Sequence, residues 1–327
     1  MRFFRQISLG IALLGALAVP SFASGQPTRI GLDWAYYNPV SLVLKKHGWV
    51  EGEFAKDGIA VLWVQSLGSN KAIEFLNARS VDFGSTAGAA ALLARINGSP
   101  IKAVYVYSKP EWTALVTRPD SGIRSVADLK GRRVAATRGT DPYIFLLRAL
   151  GEHGLGEREV KIVLLQHHDG RAALETGAVD AWAGLDPMMA QSELEKGSLL
   201  FHRNADLNTY GFLNVREEFV RQYPALVGRL LAVYERGRRW ALANPEALRD
   251  ILAEAAKLEP KVAARQLERT DLSDPVLGPV HRQAIVAAGE ALRQAGVVAA
   301  EVNVAATVDD LLDTSFGARL AAKGERH

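Results

Sequence analysis

Leu76-Asn77-Ala78-Arg79-Ser80-Val81-Asp82 returns 98 residues later as Leu174-Glu175-Thr176-Gly177-Ala178-Val179-Asp180. Leu, Val and Asp coincide, and a glutamine precedes each copy, Gln65 in the first and Gln166 in the second. Three identities in seven positions are slight by themselves. They gain weight because the strand and helix patterns around both copies come in the same order. Together they predict two similar α/β lobes in place of one large sheet.

Working outward from the first copy, Arg29 to Leu32 has a strand pattern that runs into Asp33-Trp34-Ala35-Tyr36-Tyr37. Helical spacing follows from Pro39 to Lys46 and stops at Gly48, and Val61 to Gln65 is a second strand. Ser69 stands where an N-cap belongs for a helix through Ala78. Val81 to Thr86 is a strand, Ala87 to Ile96 a helix and Ile101 to Tyr107 a strand. The second run begins with a strand at Thr113 to Thr117 and a short helix capped by Ser125. Arg133 to Ala136, Val160 to Gln166, Val179 to Leu185 and Leu199 to His202 read as strands. Helices open at Asp141-Pro142, at Arg171 and at Asp186-Pro187. Tyr210 to Val215 is a further strand. Beyond about residue 216 the pattern is helical: 224–243, 245–258 after Asn244, then near 260–269 and 278–295, with an ending at Val308 to Leu312. Such alternation predicts mostly parallel sheets covered by helices on both faces. No low-complexity linker separates the runs, so ordered strands are expected to join them.

The chain has 327 residues, no cysteine, 48% hydrophobic and 23% charged residues. This composition supports a sizeable core and excludes a disulfide scaffold, a zinc–cysteine module and a thiol enzyme. At the start, Arg2 and Arg5 precede the apolar run Ile7 to Val19, then Pro20 and the small-x-small Ser21-Phe22-Ala23. That is the pattern of a secretory signal peptide over residues 1–23, and the run is too short to span a bilayer. No cysteine follows it to carry a lipid. Taking away 1–23 leaves 37 basic against 36 acidic residues, so the formal net charge of +3 falls to +1. No Lys/Arg block suggests nucleic acid, and no second apolar stretch suggests a membrane span.

Open α/β sheets bind ligands beyond the carboxyl ends of their strands, where helix N-termini present free N–H groups. Here those positions hold Trp34, Tyr36 and Tyr37, Gln65 and Ser66, Ser85 and Thr86, Arg138 to Asp141, and Trp182 to Asp186. Two lobes facing one another would gather them around one cleft. Each has a plainer alternative. Ser69, Asp141 and Asp186 fit helix caps, the aromatics fit core packing, and Arg79 and Asp82 read as solvated or capping residues. His167-His168-Asp169 is the best metal candidate, yet no third ligand has suitable spacing, and a plain loop is expected there. G-x-S-x-G, G-x-x-x-x-G-K-[ST], G-x-G-x-x-G and H-E-x-x-H are all missing. Binding without chemistry is the expected class, with no catalytic residue, metal or cofactor.

Several of these segments resemble one family. Gly31-Leu32-Asp33-Trp34, Phe75-Leu76-Asn77-Ala78 and Val81 to Thr86 look like the first lobe of solute-binding proteins of ABC importers, of the aliphatic sulfonate, taurine and nitrate type. Val126 to Ala135, Gly139-Thr140 and Val179-Asp180-Ala181-Trp182-Ala183-Gly184-Leu185-Asp186-Pro187 continue the likeness. The resemblance implies a two-lobed periplasmic-binding-protein fold of type II, each lobe a mostly parallel sheet flanked by helices, joined by two hinge strands. Lobe 1 would take residues 28–110 and 210–327, lobe 2 residues 111–209. By the same resemblance the ligand lies between the lobes against Trp34, Tyr36, Gln65, Ser66, Thr86, Trp112, Gly139, Thr140 and Asp186. It also implies a periplasmic monomer that captures a small organic anion or zwitterion and passes it to a membrane permease with its ATPase. A departure is that Glu111, Asp141 and Asp186 place acids near an anion pocket. Either they cap helices and face away, or the solute also carries a cationic or hydrogen-donating part. The alternatives are an enzyme on the same fold acting on a small heterocycle through Glu111 or Asp186, a receptor for a pyrimidine, thiamine precursor or nitrate, and a purely sensory receptor.

Overall fold

The computed structural model describes residues 25–317, so the leader read at 1–23 lies outside the described residues. In the first run, β1 (Arg29–Trp34), α1 (Pro39–His47), α2 (Trp49–Phe54), β2 (Ala60–Gln65), α3 (Ser69–Asn77), β3 (Phe83–Ala87), α4 (Gly88–Ile96) and β4 (Ile101–Pro110) follow one another. The second run holds β5 (Leu115–Thr117), β6 (Arg133–Ala136), α5 (Asp141–Glu152), β7 (Lys161–Leu164), α6 (His167–Glu175), β8 (Ala181–Ala183), α7 (Met188–Lys196) and β9 (Leu199–His202). After it come β10 (Gly211–Arg216), α8 (Glu217–Gln222), α9 (Pro224–Ala243), α10 (Pro245–Ala256), α11 (Pro260–Glu268), β11 (Thr270–Asp271), α12 (Pro279–Gln294) and α13 (Val304–Leu311).

Two sheets result. One has the order β11-β4-β10-β3-β1-β2, the other β7-β6-β8-β5-β9. In the first, β2, β1 and β3 pair in parallel, while β10 lies antiparallel between β3 and β4. In the second, β7, β6 and β8 pair in parallel, while β5 lies antiparallel between β8 and β9. β10 and β5, the interior strands that run against their neighbours, each begin just after the chain has crossed from the other sheet, and the two-residue β11 pairs antiparallel with β4 at the first sheet's edge. The crossings are residues 111–114 and 203–210. Asp141 ties them together: its Oδ2 accepts from Trp112 Nε1 and from Thr209 N, both at 2.9 Å, and its Oδ1 from the Thr209 hydroxyl at 2.7 Å.

The repeat of residues 76–82 at 174–180 has a structural counterpart. Asp82 N donates to Gly31 O at 2.8 Å while Gly31 N donates to Asp82 Oδ2 at 2.8 Å. In the other sheet Asp180 N donates to Arg133 O at 2.9 Å and Arg133 N to Asp180 Oδ2 at 2.8 Å. Each aspartate thus clasps the N-terminal part of the middle strand of its sheet's parallel trio, β1 or β6. The solvated or capping role expected for Asp82 is corrected: it is buried, and it also pairs with Arg216. Arg79, with φ of 57°, is exposed and pairs with Glu218 at 3.0 Å.

Three local expectations are also corrected. Gly68, not Ser69, occupies the N-cap of α3, and the Ser69 hydroxyl instead accepts from Ala87 N at 3.0 Å. Asp141 is the first residue of α5 after Thr140 and spends its carboxylate on the crossings. His167-His168-Asp169 is the first turn of α6, not a loop. Among the described residues no helix is long and apolar enough to cross a membrane.

Candidate functional site

The carboxyl ends of β1, β2 and β3 in one lobe face the β6, β7 and β8 ends in the other. Between them Tyr37, Ser69 and Ala87 from the first lobe meet Thr140, Asp141, Pro142 and Leu185 from the second, with Trp112 of the crossing at the back. They enclose about 10 Å³, room for a single water molecule. The lobes are shut. Tyr37 meets Trp112 edge-on, ring centroids 6.0 Å apart, and its hydroxyl donates to Ser85 O at 3.0 Å. A Cβ built on Gly68 would come 3.1 Å from His167 Nε2 across the seam, and one on Gly139, whose φ is +78°, would come 3.5 Å from Asn70 Cβ. At Gly139 a left-handed backbone lets the chain turn into α5.

Of the nine ligand positions implied by the resemblance, Trp112 and Thr140 line this space. Ser66 is buried beside it in sequence, with its N–H donating to Trp34 O at 3.0 Å and its hydroxyl without a partner. Gly139 lies on the seam, and Gln65 ends β2 opposite Trp34 of β1. Thr86 is buried within the sheet: its hydroxyl donates to Ala87 O at 3.0 Å and accepts from Asn214 Nδ2 at 2.8 Å. Trp34 and Tyr36 pack on each other, centroids 5.8 Å apart, toward α1, α10 and α11. There Trp34 lines a separate surface cavity of about 440 Å³ with Lys45, Lys46 and Glu254. Asp186 caps α7 through Ala190 N at 2.9 Å and pairs with Arg269 at 3.3 Å.

The acids near the cleft are therefore committed. Glu111 takes both Arg203 bonds at 2.9 and 2.6 Å, Asp141 holds the crossings and Asp186 holds Arg269. Burial raises the Asp186 carboxyl to about 7 in spite of Arg269, and raises Asp141 in spite of its hydrogen bonds. Below the cleft floor Asp33 is fully buried with no cation, and burial brings it to about 6 against the two bonds from Ser85. Asp33 and Asp141 accept from the Ser85 and Thr209 hydroxyls, and Asp186 from Ala190 N and Arg269, so these carboxylates are spent on holding the fold.

What lacks partners is elsewhere. Ser66 Oγ and Asn70 Oδ1 in the first lobe, and Gln166 Oε1 and His167 Nε2 in the second, are shielded from solvent and unpaired. Buried polar atoms normally find partners, so each such group calls for an explanation. The helices α3 and α6 begin at these residues, and their first N–H groups have no intrahelical acceptor. Sequence reading sets Asn70, Gln166 and His167 aside. The signal that marks them is the repeat itself, whose offset of 98 puts Gln166-His167 where the first lobe has Gly68-Ser69.

Residues 42–248 match the family described as NMT1/THI5 like. A protein of Escherichia coli (strain K12) named for binding aliphatic sulfonates is 30% identical over 266 residues, 79% of this chain and 82% of its own length. A protein of Bacillus subtilis (strain 168) with the same name is 27% identical over 74% of each chain. Among solved structures, the alkanesulfonate-binding protein SsuA from Xanthomonas axonopodis pv. citri, bound to MOPS, superposes with a TM-score of 0.79 at 24% identity, covering 86% of this chain and 98% of that one. The fold is also shared by an enzyme: the desulfurization enzyme DSZB gives a TM-score of 0.67 at 16% identity over 91% of this chain and 99% of its own.

Proposed function

The chain belongs to the NMT1/THI5-like family, and on that premise we propose that it is an exported solute receptor of an ABC-type importer. It captures a small organic sulfonate, or a zwitterion bearing one, in the cleft between its lobes. It then presents the closed complex to a membrane permease with its ATPase. The observation that carries this reading is the seam itself: two lobes meet at their strand ends around unpaired Ser66, Asn70, Gln166 and His167, while Glu111, Asp141 and Asp186 are already engaged.

The anion would lie beside Ser66, against the free N–H groups and the partial positive charge at the start of α3. Ser66 supplies a hydroxyl that lacks a partner. Tyr37 and Trp112 supply apolar ring surface to the solute's carbon portion. Since the closed space holds about one water, the solute enters an open form, and closure follows because it touches both lobes. Export to the periplasm accords with the leader pattern at 1–23 and with the periplasmic SsuA of Escherichia coli, whose structure superposes with a TM-score of 0.73.

A thermal-melt panel of alkanesulfonates, taurine, nitrate, thiamine precursors and aromatic acids tests the reading. A cognate solute at about 100 times its dissociation constant adds about 2.7 kcal/mol to the native state. A sulfonate is expected to raise the melt most. A panel in which no sulfonate acts, or a thiamine precursor acts alone, overturns it. Turnover by the purified protein, lost in Glu111→Gln, would instead favour the enzyme reading.

A further inference from the structure

Gly68 stands on the seam between the lobes, and a Cβ built on it would lie 2.9 Å from Asn70 Oδ1 and 3.1 Å from His167 Nε2. These two atoms come from opposite lobes, one from the first turn of α3 and one from the first residue of α6. Neither has a hydrogen-bond partner, and His167 is 1% exposed. The imidazole's tautomer follows from its neighbours. Thr137 donates its hydroxyl proton to Leu165 O at 2.7 Å, so its oxygen accepts from His167 Nδ1 at 3.2 Å. The ring proton is therefore on Nδ1, and Nε2 turns a bare lone pair to the seam. Burial, aided by His168, keeps the ring neutral. Asn70 Oδ1 is a second acceptor beside it, close enough for one donor to reach both, and Gly68, having no Cβ, keeps a side chain from coming between the two.

Two buried acceptors around one point lack a donor. We propose that the solute carries a hydrogen-bond-donating group, an ammonium, amine or hydroxyl, and that this group is received between His167 Nε2 and Asn70 Oδ1 as the lobes close. His167 then sets specificity for amino- or hydroxy-substituted sulfonates over plain alkanesulfonates, since a site built to receive a donor rejects the analogue without one. The assignment rests on the cleft being the solute site. It also gives Gly68 a reason: the residue lies in an extended conformation, φ 161°, that any amino acid adopts, so the position is small for space and not for backbone.

Calorimetric titration of the full chain with 2-aminoethanesulfonate, 2-hydroxyethanesulfonate and ethanesulfonate tests it. Wild type is expected to bind one or both substituted sulfonates at least about tenfold more tightly than ethanesulfonate, and which one tells ammonium from hydroxyl. His167→Leu removes one acceptor, and Gly68→Ala fills the point from the other lobe; each should erase that preference. Asn70→Asp, an acceptor only, should keep it. Because Nε2 is unpartnered and only the 3.2 Å bond from Nδ1 to the Thr137 hydroxyl is lost, His167→Leu should lower the melt no more than loss of that one hydrogen bond does. Should His167→Leu prevent folding, Gly68→Ala decides. Equal affinity for all three sulfonates, or a preference that survives Gly68→Ala, overturns the assignment alone. Binding of none of the three overturns the sulfonate reading and this assignment with it.

Discussion

Asp33 is a carboxylate that the fold tolerates at a cost. It is 0% exposed, takes two hydrogen bonds from Ser85 at 2.9 and 2.8 Å, and has no cation beside it. Burial lifts its pKa from 3.8 to about 6. With the folded value above the unfolded one, the stability it contributes is fully present below about pH 4 and is lost as pH rises through 6. At 1.36 kcal/mol for each pH unit of difference, ionisation costs about 3 kcal/mol. Asp33→Asn keeps an acceptor for Ser85 and cannot ionise. In urea titrations it should match wild type near pH 4 and exceed it by about 3 kcal/mol at pH 8; a constant gap across that range would assign the burden to another group. The twin clasps give a second contrast. Asp82→Ala strands the buried Gly31 N–H and the mostly buried Arg216, and should cost about 3 kcal/mol, whereas Asp180→Ala, at a more exposed strand start, should cost about 1. Chemical melts of the two variants check the ratio, and equal losses would refute it. Single residues were legible in sequence only so far. Position after a strand marks which end of a sheet a side chain joins, which served Ser66 and Thr140. It is silent on which side of that end the residue takes, which is why Trp34 and Tyr36 stand against α10 and α11. It says nothing of what the opposite lobe brings, which is why His167 passed as a loop residue.

Elements were more legible than residues because periodicity is a property of ten positions and not of one. Arg133–Ala136, Leu199–His202 and Pro224–Ala243 stand where the pattern put them. The start of α6 did not. Its first turn, His167-His168-Asp169-Gly170, has no apolar period and no capping side chain, and within it Gly170 is buried against Trp182 of β8. A Cβ on Gly170 would come 2.7 Å from Trp182 Nε1 and 2.8 Å from Cδ1, so the ring on β8 fixes the height of the helix. Gly170→Ala must lift α6 off β8 or turn the fully buried Trp182. Overpacking of this kind costs about 1–3 kcal/mol. The expected result is a lower melt with a changed tryptophan fluorescence, since His167 and Gln166 ride on the same helix. A variant as stable as wild type, with ligand affinity intact, would show that α6 sits loosely and that its first residues are not held in register by Trp182.

At the scale of the molecule, the question is what holds two lobes shut around so little space. Across the cleft mouth Arg269, next to β11 of the first lobe, reaches Asp186 at 3.3 Å and Glu193 of α7, while Arg265 of α11 stands 3.5 Å from Glu193. Arg269 and Asp186 are 8% and 1% exposed, so this pair is not screened as a surface pair would be. Burial nonetheless holds the Asp186 carboxyl near 7, and a proton there removes the charge that Arg269 faces. A receptor must open to load, and the apparent affinity of its closing form is the intrinsic value divided by the fraction able to close. Breaking this ion pair therefore shifts the balance toward the open arrangement and taxes every ligand alike. Arg269→Gln should weaken solute binding about 5- to 30-fold, equivalent to about 1–2 kcal/mol of closing free energy. It should do so without changing the ranking of solutes, which the seam around His167 sets. Small-angle scattering should show a larger radius of gyration for the variant free in solution. Wild type should not open as pH falls below 7, because the closed form, whose burial raises the Asp186 carboxyl, binds that proton more tightly than an open form that exposes it. An unchanged radius together with unchanged affinity would mean that Trp112, Asp141 and Thr209 at the crossings, and not Arg269 at the mouth, set the closed form.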